Sequence, residues 1–232
     1  MKEIDLAEHV VSWLKENGHE VYQEVQFFYG SAVADIVTFL DGHLWIIETK
    51  IGYGIPVLDQ AYQWRVPYRS VAVKGTRGPR PASWREVALD FYEVGIIEVM
   101  DYGWVEEIES PPFKEKFTLW GKEMEKKLTG LHKTFAPAGS QGGAHLTPYK
   151  ETMIRVKQFI TNNPGSTARE IVAGIGETHY NGSGSDSLRN ALVKFESWCY
   201  TDKSQTPFKF YLLDDNIRIA INQKEETNGE KK

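Results

Sequence analysis

ADIVTFLDGHLWIIETK, residues 34–50, decides the fold. Two apolar runs flank Asp41-Gly42, a dipeptide that favours a two-residue hairpin turn because both residues accept positive φ. With that turn as the loop, Leu40 pairs with His43, Phe39 with Leu44, Val37 with Ile46 and Asp35 with Glu48. The two-residue period of a strand puts Val33, Asp35, Val37 and Phe39 on one face, with Leu44, Ile46, Glu48 and Lys50 beside them on the partner strand. Directly opposed Cβ atoms stand roughly 4.5–5.5 Å apart, and like charges that close on an apolar face are destabilising unless neutralised. A divalent cation would neutralise them. Lys50, one pleat beyond Glu48, would do so in part. A one-residue slip would dissolve the pairing, so the reading depends on the turn. The rival explanation is a charged strand end that simply reaches solvent.

Working outward, Ile4, Ala7, Val10, Val11 and Leu14 have helical spacing and Asn17-Gly18 ends that helix. Residues 21–28 read as a strand, 55–66 as a helix closed by Pro67, and 69–74 as a short strand. Residues 83–92 read as a helix opened by a Ser83–Glu86 capping box, and 94–100 and 103–108 as two further strands. This order predicts an α/β domain over residues 1–111 with a mixed sheet flanked by helices. Pro111-Pro112 breaks the chain. Residues 112–147 read as a charged helix followed by a flexible linker rich in Gly, Ser, Ala and Pro.

A smaller α+β domain is expected over 148–222. Its parts are a helix at 148–162, a Thr167–Glu170 capping box opening AREIVAGI, a helix at 187–200 and strands at 208–213 and 217–221. Leu188, Ala191, Leu192, Phe195 and Trp198 would face inward from the third helix. Three helices followed by a hairpin is the order of a winged helix. The tail, 223–232, has the composition of a disordered segment.

The net charge of −5 argues against a generic polyanion binder. The charge is split: residues 1–111 hold 9 Lys and Arg against 18 Asp and Glu, whereas residues 112–232 hold 18 against 14. An acidic, site-bearing half joined to a mildly basic half fits that split. Cys199 is the only cysteine, so an intrachain disulfide and a thiolate zinc cluster are excluded. None of the six histidines has a metal-ligand spacing. No apolar run is long enough to span a bilayer, and MKEIDLAEHV lacks the apolar core of a signal peptide. A cytoplasmic location without membrane contact is the expectation.

The first half resembles the PD-(D/E)XK, or restriction-endonuclease-like, nuclease superfamily. The resemblance covers about residues 4–75. It rests on Asp35 opening one strand, Glu48-Thr49-Lys50 on the next, and the helix that follows. KEIDLAEHVVSWLKENG followed by ADIV and WIIETK is similar to archaeal Holliday-junction resolvases. Gln60 with Trp64 resembles the Gln-x-x-x-Tyr helix motif of RecB-like nucleases. Ala34 stands where the family carries proline.

The resemblance implies a restriction-endonuclease-like fold and a metal-dependent DNA endonuclease. Asp35, Glu48 and the Thr49 carbonyl would hold Mg²⁺ or Mn²⁺, hard cations that prefer oxygen donors. Lys50 would position the attacking water and stabilise charge on phosphorus; an ammonium beside two carboxylates keeps its proton and makes a poor base. Glu8 falls where the resolvases carry a helical acid, with Glu24 as a second candidate for that position, and Gln60 completes the expected site. Arg77 and Arg80, in a loop rich in Gly and Pro, would grip a phosphate backbone. Ser187, Arg189, Asn190 and Lys194 would face outward from the winged helix onto double-stranded or branched DNA. A dimer is needed for double-strand cutting by single-site subunits; a monomer would nick. Two rivals stand beside this reading: a catalytically inactive or regulatory DNA-binding protein on a nuclease fold, and a protein-interaction factor.

Overall fold

A computed structural model of the chain describes residues 1–28, 30–76, 78, 81–140, 145–176 and 184–213. The chain divides into two units, Met1–Thr147 and Pro148–Lys232.

The first unit is α/β. Its elements are α1 (Glu3–Glu16), β1 (Tyr22–Val25), β2 (Ala34–Leu40), β3 (His43–Lys50), α2 (Ile55–Gln63), β4 (Tyr68–Lys74), α3 (Ala82–Glu86), β5 (Gly95–Val99), β6 (Val105–Glu109) and α4 (Thr118–Glu125). The six strands form one mixed sheet in chain order. β3, β4 and β5 are parallel, with α2 and α3 in the crossovers; the other pairs are antiparallel.

The turn works as its sequence requires. Asp41 and Gly42 have φ of 49° and 73°, and the register runs Leu40↔His43, Phe39↔Leu44, Val37↔Ile46 and Ile36↔Ile47. The next opposed positions are Asp35 and Glu48.

Each face of the sheet buries a stripe. Leu6, Ala7, Val10, Val11 and Leu14 of α1 pack on Ile36, Trp45, Ile47, Ala72 and Ile97. On the other face α4 supplies Met124 against Val37, Leu44 and Ile46. α2 supplies Val57, Leu58 and Ala61 against Val71, Val73 and Ile96. Trp45 is 1% exposed, and its indole N–H donates to Ser70 Oγ at 2.9 Å.

Gly95 stands where three chain segments meet. A Cβ there would lie 2.7 Å from Pro111 N, 2.7 Å from Ser70 Oγ and 2.8 Å from Glu109 O. Two of these atoms are backbone and cannot swing aside. Gly95→Ala is therefore expected to cost about 2–3 kcal/mol, the scale of overpacking a core. Gly52→Ala, where a Cβ meets nothing within 4 Å, should be neutral. Chemical denaturation of the two variants checks both.

Three boundaries depart from the sequence reading. Segment 112–147, read as a helix and flexible linker, is packed into the first unit. Met124, His132, Ala136, Ala138 and Leu146 are buried. Gln23 Nε2 donates to Lys133 O at 3.1 Å, and Ala138 N donates to Gln23 Oε1 at 3.1 Å. Composition suggested a linker, but small residues also let a chain lie close against a sheet edge. In the second departure, the helix expected at 83–92 begins at Ala82 on Pro81, without a serine cap, and widens into a π-type turn over Val87–Phe91.

The third lies in the second unit. Its elements are α5 (Pro148–Asn162), α6 (Ala168–Ile175), α7 (Gly184–Lys194), β7 (Cys199–Asp202) and β8 (Lys209–Leu212). The Thr167–Glu170 capping box forms as read. The third helix stops at Lys194, leaving Phe195 75% exposed instead of inward. Residues 199–202 then pair with β8, from Cys199↔Leu212 to Asp202↔Lys209. Glu196 accepts from both the Tyr149 hydroxyl and the Trp198 indole, and this fixes the chain where it leaves the helix. The strand expected at 217–221 and the tail at 223–232 lie outside the described residues. Val156, Ile160, Ile171, Leu188, Leu192 and Phe210 form the core of this unit.

Candidate functional site

The hairpin register brings Asp35 and Glu48 to the same end of the sheet. Asp35 Oδ2 accepts from Thr49 N at 2.7 Å and from Thr49 Oγ1 at 2.8 Å. Glu48 Oε1 accepts from the Trp64 indole at 2.7 Å. Each carboxyl is thus fixed through one oxygen, and Asp35 Oδ1 and Glu48 Oε2 have no hydrogen-bond donor among the described residues.

β1 adds a third acid. Gln23 pairs with Ile36 and Val25 with Ala34, so Glu24 stands across from Asp35. Its φ of 50° distorts the strand there, and its Oε1 accepts from Ser140 N at 3.1 Å. Lys50, at the end of β3, pairs with Glu3 at 3.1 Å.

Burial sets the charge state. Glu48 is 6% exposed, and burial, then the charges of Asp35 and Glu24, push its carboxyl up to about 8 against the opposing Trp64 bond and Lys50 charge. Burial and then Asp35 raise Glu24 to about 7, against the backbone N–H groups of Ser140 and Gly139. Burial also raises Asp35, against the two Thr49 bonds. Glu24 and Glu48, each under the charge of Asp35, thus hold protons near neutral pH. Strongly perturbed groups brought together in this way mark candidate functional sites.

The residues read from the sequence divide clearly. Asp35, Glu48, Thr49 and Lys50 come together. Glu24, the second candidate for the accessory acid, joins them. Glu8 does not: it lies exposed on α1, and the charges acting on Asp35 are those of Glu3 and Lys50. Five residues along a helix turns a side chain well away from the face Glu3 occupies. Gln60 is exposed on α2, and Trp64, four residues on, is the residue that reaches Glu48. The sequence reading missed Glu3, Trp64 and the 139–140 backbone. Trp64 carried a weak signal, through its place in the helix motif; the other two carried none. Arg77 and Arg80 lie outside the described residues. On α7, Arg189, Asn190 and Lys194 are exposed and Ser187 is half-buried; Arg189 pairs with Asp186 at 3.4 Å.

The donor set suits a hard cation held by few protein ligands. Two open carboxylate oxygens, with water and substrate completing the sphere, match the usual Mg²⁺ arrangement. Among the described residues no three His, Cys, Asp or Glu side chains gather as a metal-binding group.

No described helix is long and apolar enough to cross a membrane. No protein-family model and no curated protein matches the sequence. Among solved structures, a protein of unknown function from Silicibacter pomeroyi is similar at 18% identity and a TM-score of 0.39, over 55% of this chain and 84% of its own.

Proposed function

We propose that the first unit is a restriction-endonuclease-like phosphodiesterase that cuts DNA with Mg²⁺ or Mn²⁺, and that the second is a winged-helix-like module that places it on duplex or branched DNA. The observation that carries the reading is the opposed pair of a half-buried Asp35 and a buried Glu48, short of compensating charge, at the end of a hairpin with Lys50 beside it. A bound divalent cation would neutralise the phosphate and lower the pKa of an attacking water.

This chain's residues supply the rest. Thr49 holds Asp35 and Trp64 holds Glu48, each leaving one oxygen for the cation, and the Thr49 carbonyl is the third donor we assign. The Lys50–Glu3 pair has side chains 47% and 29% exposed. An ion pair that wet is weak, so a phosphate can take the ammonium from Glu3. Lys50 then stabilises charge building on phosphorus. In the second unit, three helices, a hairpin and the Ser166↔Phe210 bridge support the winged-helix reading. Arg189, Asn190 and Lys194 are exposed on the helix that would meet DNA.

The test is cleavage of supercoiled plasmid and branched DNA with Mg²⁺, Mn²⁺ or EDTA. We expect metal-dependent cutting, lost in Asp35→Ala and in Lys50→Ala. Intact DNA under every condition, with salt-dependent binding retained, would overturn the enzyme and leave a DNA-binding protein on a nuclease fold.

A further inference from the structure

Arg69 is the least expected residue in the first unit. It sits on β4, 2% exposed. Its Nη1 donates to Tyr62 O at 2.7 Å and to Trp64 O at 3.3 Å. Its Nη2 lies 3.5 Å from Glu93 Oε2 without closing a hydrogen bond, and its Nε has no partner. The guanidinium also lies over the Tyr62 and Phe117 rings, 5.1 and 5.8 Å from their centroids.

Burying a guanidinium with two idle donors is expensive. An apolar side chain would serve stability better at this place. What the guanidinium does make is a pair of bonds from Nη1 onto the end of α2. The last carbonyls of a helix lack intrahelical partners and favour a cation, and α2 has no basic residue in its own last turn. Arg69 supplies that cation from the following strand. One of the two carbonyls it grips belongs to Trp64, whose indole donates to Glu48. The Trp64 ring is further held edge-on by Phe27, 6.0 Å between centroids. Glu93, which faces Arg69, is itself taken by Lys114 Nζ at 2.7 Å. It therefore balances the charge without taking Nη1 from the two carbonyls.

We propose that Arg69 is a positioning residue of the carboxylate site: by gripping the Tyr62 and Trp64 carbonyls it sets the Trp64 indole on Glu48 and leaves the free Glu48 oxygen facing a bound divalent cation. The role at a cation rests on the function proposed above; the chain of contacts from Arg69 to Glu48 does not.

The experiment labels the tryptophan indoles with ¹⁵N and assigns Trp64 by its loss in Trp64→Phe. In Arg69→Lys the charge stays, but the lysine nitrogen ends one bond short of the Nη1 that holds both carbonyls. The Trp64 indole resonance should move toward the solvent-exposed position and its exchange quicken by about tenfold or more. The Trp45 indole, bonded to Ser70 on the other face, should stay put and report an intact fold. Arg69→Gln is the second variant should lysine fail to fold. Mn²⁺ affinity, measured with the metal alone, should fall about tenfold to a hundredfold in Arg69→Lys, the scale of losing an outer-shell partner. It should fall equally in Trp64→Phe and no further in the double variant, because one route carries both effects. An unchanged Trp64 resonance in the Arg69 variants, or losses that multiply in the double variant, would overturn the proposal. Wild type that binds no Mn²⁺ would sink the metal reading alone, and the indole resonance would still decide the role of Arg69.

Discussion

Glu48→Gln should make the protein more stable above pH 8 and should leave no metal-dependent cleavage. Glutamine keeps an oxygen for the Trp64 indole and removes the charge that burial, Asp35 and Glu24 oppose. The sign follows from linkage. Glu48 titrates at about 8 in the fold against 4.5 for the ordinary side chain. The native state therefore binds the proton more tightly than the unfolded chain, and wild-type stability falls as pH rises from 4.5 through about 8. At pH 5 variant and wild type should melt together. At pH 9 the variant should melt higher by on the order of 10 °C, a few kcal/mol for a chain of this size. Cleavage should drop by at least about 10³-fold, since several kcal/mol of transition-state charge stabilisation goes with the ligand. Thermal melts at the two pH values and a plasmid assay read both effects. Equal melting at pH 9 would mean that Glu48 titrates normally.

A second large effect is expected from the cation itself. Ca²⁺, a hard cation with the same taste for oxygen donors, should raise the melting temperature of wild type at pH 8.5 and do little at pH 5.5. At the lower pH Glu24 and Glu48 hold their protons, and a cation must displace them. Binding therefore tightens as pH rises through about 7 and 8, where Glu24 and Glu48 ionise. At 100-fold excess over the dissociation constant the gain is about 2.7 kcal/mol. Asp35→Asn should lose most of it. Calorimetry in two buffers of different ionisation enthalpy should find protons released on binding near pH 7. A pH-independent gain in stability would mean that the cation binds elsewhere.

The centre of the site was legible because a hairpin is local. Asp41-Gly42 sets the turn, the turn sets the register, and a period of two then decides which side chains face each other. Nothing comparable signals Glu24 on Ser140, a bond across 116 residues. The spacing of α1 gave Ala7, Val10, Val11 and Leu14 of its buried face, but it took Ile4, which is 37% exposed, and passed over the buried Leu6. It could not say where along the sheet the helix begins, and that offset decides whether Glu3 or Glu8 meets Lys50. Segment 112–147 holds the helix read there, as α4, but its remainder was misread as a linker because glycine, alanine and serine suit both a free linker and a chain pressed against a strand. Only contacts such as Gln23 with Lys133 and Ala138 separate the two. In the second unit, α5 and α6 were legible from apolar stripes and a capping box. The stretch around Trp198 was not, because an aromatic at helical spacing also suits the turn into a strand once the helix stops at Lys194.

The N–H groups of residues 139 and 140 that reach Glu24 have a consequence for how the protein is made. A ribosome releases the chain from its N-terminus, and Glu24, Asp35 and Glu48 emerge together with the first hairpin. The segment that completes the acidic corner from outside arrives about ninety residues after Glu48. Until then the nascent sheet carries an open cluster of acids in which Glu24 lacks its backbone donors. Ribosome-bound chains stalled shortly before and shortly after residue 140 clears the exit tunnel should therefore differ in protease resistance, and millimolar Ca²⁺ should narrow that difference.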